Sequence, residues 1–97
     1  MDLAIQTFGV TTRFPNPFNP QVELAFSLAR PGLVTLHVFD VKGRLVDTLV
    51  SENQPVGRYS VTWNGTDHDG AAVASGVYFA RFTSGDARVS HRMVLLK

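Results

Sequence analysis

At 97 residues, 44% hydrophobic and 18% charged, the chain has the size and composition of one soluble globular domain, too small for a deep cleft between layers. A formal net charge of +1, with nine Lys and Arg scattered along the chain, gives no electrostatic drive toward nucleic acid or an anionic membrane. The lack of cysteine removes disulfides, thiolate metal sites and Cys nucleophiles, and no apolar run approaches the roughly 20 residues of a membrane span.

Met1-Asp2-Leu3-Ala4-Ile5-Gln6 has neither a basic n-region nor a long apolar core, so it does not read as a signal peptide. If the protein is exported, Met1 reads as the start of one domain taken from a longer chain. Residues 1–13 read as a linker or a first strand, ahead of a domain over residues 14–97. Arg13-Phe14-Pro15-Asn16-Pro17-Phe18-Asn19-Pro20 then places three prolines within six positions. Proline lacks a ladder donor, which excludes the centre of a sheet and predicts an extended, partly polyproline strut along an edge, pinned by Phe14 and Phe18.

Val22, Leu24, Phe26 and Leu28 alternate with Glu23, Ala25 and Ser27, the period of a half-buried strand. Arg30-Pro31-Gly32 breaks the chain before a second alternating run, Val34, Leu36 and Val38. Asp40-Val41-Lys42-Gly43 is a turn that the Asp40 carboxylate can cap. From Arg44 to Val50 a third extended run is apolar on both faces, and Ser51 to Gly57 reads as a polar loop. Tyr59, Val61 and Trp63 form a fourth alternating strand, in which the indole can bury about 150–250 Å². After the loop Asn64 to Gly70, Val77 to Thr83 and Ala87 to Leu96 read as a hairpin joined at Ser84-Gly85-Asp86. Six or seven short strands and no sustained 3.6-residue period predict a β-sandwich or barrel. Its expected core holds Leu24, Phe26, Leu36, Val38, Val61, Trp63, Tyr78 or Phe79, and Val94 or Leu95.

Sites with chemistry are thin. Asp67-His68-Asp69-Gly70 pairs carboxylates near a glycine, as Ca²⁺ loops do, but the spacing lacks a third ligand and a closing Glu, which favours a solvated Asx-rich turn. His37, His68 and His91 have no helical ligand spacing, and Ser75-Gly76 lacks the surroundings of a hydrolase elbow. Asn64-Gly65-Thr66 is formally a glycosylation sequon, yet Asn-Gly is also a strong turn dipeptide. No enzyme activity, cofactor, metal, small-molecule substrate or membrane insertion is expected.

Seven short patterns occur in one order along the chain. They are Phe14 to Pro20, Val22 to Leu28, Phe39-Asp40-Val41-Lys42-Gly43-Arg44, Gly57, Trp63-Asn64-Gly65, Gly70 to Phe79 including Ser75-Gly76-Val77-Tyr78-Phe79, and Arg92 to Lys97. Together they resemble the bacterial Ig-like family that includes the type A C-terminal sorting domains of the type IX secretion system, and the Ig-like domain of the flagellar hook-capping protein is similar. Asn64 departs from the pattern, which commonly has Asp there. The resemblance implies an all-β, Ig-like (fibronectin III-like) antiparallel sandwich of about seven strands, with Pro15, Asn16, Pro17, Phe18, Asn19, Pro20, Gly43, Trp63 and Gly76 in structural roles. It also implies a non-catalytic sorting or anchoring domain at the end of a larger exported protein, secreted or held at the cell surface. Its partners would be the linked passenger and outer-membrane secretion machinery, and its sorting strand Arg92, Met93, Val94, Leu95, Leu96 and Lys97. The chain closes where that family's signal closes, which favours this expectation. The competing expectation is a structural Ig-like spacer or interaction module, adhesin-like or hook-cap-like.

Overall fold

The computed structural model describes residues 5–16, 19–85 and 87–96. Seven strands follow one another with no helix among these residues: β1 (Ile5–Asn16), β2 (Asn19–Leu28), β3 (Gly32–Asp40), β4 (Leu45–Gln54), β5 (Gly57–Trp63), β6 (Gly76–Ser84) and β7 (Ala87–Leu95). They form two antiparallel sheets, ordered β1-β2-β5 and β4-β3-β6-β7. The architecture is the expected Ig-like sandwich.

Alternation explains which face each strand buries. Val22, Leu24, Phe26 and Leu28 from one sheet meet Val34, Leu36 and Val38 from the other, and all are buried. Two aromatic contacts span the layers: Phe26 lies 4.4 Å from Phe82, and Trp63 sits edge-on to Tyr78 at 5.1 Å between ring centroids. At the two positions where the sequence left alternatives, Tyr78 and Leu95 face inward while Phe79 and Val94 face out. Val61 packs against the core without being fully buried.

Three expectations need correction. The stretch read as a loop from Ser51 belongs to β4 as far as Gln54, paired with the start of β3. Its polar residues fit because an edge strand needs only one partner. The run that looked apolar on both faces carries two register irregularities in β4, opposite Leu36/His37 and Val38/Phe39. Each inserts an unpaired residue and resets the alternation, so Val46 and Val50 are both buried while Leu45 is exposed.

The third correction concerns the proline-rich segment. Arg13 to Asn16 lie on the edge strand β1, as an edge stretch should, but paired to β2 as part of the sheet, while Asn19 and Pro20 belong to the central strand β2, with Asn16 opposite Asn19. Pro15 is tolerated because β1 is an edge strand. Pro20 lies ahead of the first β2–β5 pair, Val22↔Trp63, and inside the irregularity between Arg13 and Asn16. No β5 ladder bond is asked of it. Pro17 and Phe18 lie outside the described residues, as does the expected anchoring by the Phe14 and Phe18 side chains.

Candidate functional site

β7 ends the four-stranded sheet and pairs along its length with β6, from Ser84↔Ala87 to Gly76↔Leu95. Its two faces differ in chemistry. Met93 and Leu95 are buried and Val89 packs against the core, whereas Arg88, Ser90, Arg92 and Val94 are exposed. His91 falls on the inner parity with Val89 and Met93 and is half-buried, apart from the outward arginines. Leu96 is exposed beyond the strand, and Lys97 lies outside the described residues.

The end of β7 is wedged by the loop after β5. Gly65 has φ +71°, and a Cβ built there would stand 3.1 Å from Leu95 Cδ2, so glycine meets both a backbone and a packing demand. Trp63 Nε1 donates to the Thr66 carbonyl at 2.8 Å, and the Val73 amide donates to the Gly65 carbonyl at 3.0 Å. The Tyr78 hydroxyl donates to the Ala74 carbonyl at 2.7 Å, and its burial raises its pKa, with the Asp40 charge adding to the effect. These bonds satisfy the polar ends of two buried aromatics while fixing the loop that covers Leu95.

The remaining candidate residues form turns. Asp40 Oδ1 accepts from the Lys42 and Arg44 amides at 2.9 and 3.0 Å, and Oδ2 accepts from Arg44 Nε at 3.1 Å. The Arg44 amide bond, followed by the other donors, holds the Asp40 carboxyl below its ordinary range despite some opposing desolvation. Gly43 closes that turn with φ +81°. Gly76 opens β6 with no atom within reach of a Cβ. Asp67 Oδ1 accepts from the Asp69 and Ala71 amides, both at 2.9 Å, and the Asp67 amide donates back to the Ala71 carbonyl. The Asp67 carboxylate is therefore committed to closing an Asx turn. Among the described residues, no three His, Asp or Glu side chains gather as a ligand set.

A family model described as FlgD Ig-like domain matches residues 16–87, about three quarters of the chain. The chain belongs to the FlgD Ig-like domain family. No curated protein matches it. In this FlgD Ig-like domain the matched segment takes in β2 through β6, with Gly43, Trp63 and Gly76, and reaches only the first residue of β7. The outward residues Arg88, Ser90, Arg92 and Val94 lie beyond it.

Sequence reasoning missed one feature of the domain. Phe39, Phe79 and Arg81 meet on the outer face of the larger sheet, with the Arg81 guanidinium carbon 4.8 Å from the Phe39 ring centre. The signal was present in the alternation: Phe39 is out of phase with Val34, Leu36 and Val38, and Phe79 and Arg81 are out of phase with Tyr78, Ala80 and Phe82. Cations scattered in sequence are also gathered in space, since Arg81, Arg88 and Arg92 all point from this one face.

Proposed function

We propose that this domain is a non-catalytic sorting and anchoring module of a larger exported bacterial protein. In this reading outer-membrane type IX export machinery recognises β7, and the linked passenger is secreted or held at the cell surface. The observation that carries the reading is the placement of β7 as a sheet edge with a solvent-facing row of Arg88, Ser90, Arg92 and Val94. An edge strand can accept a receptor strand by backbone pairing, and its outward side chains then supply selectivity. The ordered resemblance from Phe14 to Lys97 supports the same reading. The second reading, a structural Ig-like spacer or hook-cap-like assembly unit, is favoured by the family match itself.

A delivery assay separates the two. Residues 1–97 are fused behind a periplasm-directed fluorescent protein in a host with type IX export. The intact fusion should reach the surface, and Arg88→Glu/Arg92→Glu/Val94→Thr should remain in the periplasm with an unchanged melting temperature, because all three side chains are exposed. Equal delivery of the variant, or none of the intact fusion, would leave the spacer reading.

A further inference from the structure

The outer face of the β4-β3-β6-β7 sheet carries more apolar surface than its strands need. In register order, Leu45, Phe39, Phe79 and Arg92 stand in one row across the four strands, and His37, Arg81 and Ser90 stand in the next across β3, β6 and β7. Phe79 is 37% exposed, Leu45 51%, Val94 41% and Val41, in the adjoining turn, 68%. These are four of the seven large exposed apolar side chains among the described residues, and they share one end of one face. A contiguous exposed apolar cluster of this kind marks an interaction site more often than scattered single residues do. A hollow of about 280 Å³ opens beside two of them, Val41 and Phe79, and is lined also by Phe39, Asp40, Gly43, Arg81 and Ser90.

Cations outnumber carboxylates around the hollow. The outward positions of β3, β6 and β7 include Arg81, Arg88 and Arg92 but no carboxylate, and Lys42 stands in the turn beside Val41. The carboxylate at the rim, Asp40, is already engaged by two amides and by Arg44. No ion pair among the described residues uses Arg81, Arg88 or Arg92. Arg81 lies over the Phe39 ring, which is edge-on to His37 at 5.9 Å. That stacking presents a flat guanidinium ready to take a carboxylate in bidentate fashion.

We infer that this face docks a protein segment carrying an aromatic or branched aliphatic side chain flanked by carboxylates. The apolar side chain enters the hollow between Phe39, Phe79 and Val41, and the carboxylates meet Arg81 and Arg92. Aromatic residues and arginine at the centre of a patch are the residue types that dominate interface energetics. The inference shares Arg92 with the export reading but does not need the unpaired edge of β7.

The test is a titration of ¹⁵N-labelled residues 1–97 with a synthetic peptide alternating Glu with Phe and Leu, beside the same peptide carrying Lys for each Glu. The acidic peptide should shift the amides of Phe39, Val41, Phe79, Arg81 and Ser90, bind more weakly as salt rises, and outcompete the basic peptide. Phe79→Thr/Arg81→Thr should lose at least about tenfold in affinity while keeping the dispersed spectrum of the folded domain. No shifts, shifts elsewhere, equal binding of the basic peptide or an unaffected double variant would each overturn the proposal. So would concentration-dependent dimerisation abolished by Phe79→Thr, which would make a second copy of the domain the occupant.

Discussion

Trp63→Ala should destabilise the domain by about 3–5 kcal/mol, the upper range for large-to-small core changes. Trp63 is 1% exposed and is the largest of the fully buried side chains. Its ring contributes in three ways. It fills the space between sheets at the end of β5, meets Tyr78 edge-on, and ties the following loop down through the Thr66 carbonyl. Alanine would leave a cavity between two rigid sheets, which have little freedom to collapse, and would strip the carbonyl of its donor. Urea unfolding of the two proteins measures the difference. A loss below about 1 kcal/mol would show that Trp63 is no anchor, because mutations of that size come from ordinary surface sites.

Removal of residues 92–97 should unfold the domain. Met93 and Leu95 are buried in the common core, and each such truncation to alanine alone costs about 2–5 kcal/mol. The deletion also removes the ladder from Gly76↔Leu95 to Phe79↔Arg92 and exposes the underside of Gly65. A small domain has only about 5–15 kcal/mol of stability to lose. Circular dichroism and a collapsed amide spectrum would report the result, and a cooperative melt retained by the truncated chain would contradict this role for β7. The consequence for function is direct. Loss of export on deleting this strand would not separate a broken signal from a broken fold, so the outward residues must be changed instead.

Much of the fold was legible because period-2 alternation survives wherever a strand has one buried face. Val22 to Leu28 and Val34 to Val38 are of this kind. The rule failed where pairing irregularities intervene: β4 hides its inner face from any fixed period because its register shifts twice. The prolines misled for a different reason. Their missing donors exclude a ladder position only where a partner strand stands opposite, and which strands stand opposite is a property of topology. At the candidate site, β7 alternates between buried Met93 and Leu95 and exposed Arg92 and Val94, but the unbroken apolar run Val94-Leu95-Leu96 left the choice between Val94 and Leu95 to the structure. Alternation likewise separates His91 from its basic neighbours. The cluster of Phe39, Phe79 and Arg81 required the β3–β6 register, since residues about forty positions apart carry no mark of contact in one sequence.

The export reading depends on β7 being a strand paired with β6 on one side and unpaired on the other. Native-state hydrogen exchange along β7 tests this most directly. In an antiparallel edge strand, successive amides point alternately toward the neighbour and away from it. The structure predicts alternating protection from Ala87 to Leu95: slow exchange at amides bonded to β6, fast exchange at those between. Uniform protection would mean that another element covers this edge. Uniformly fast exchange would mean that β7 is not docked on β6, and either result would contradict the account.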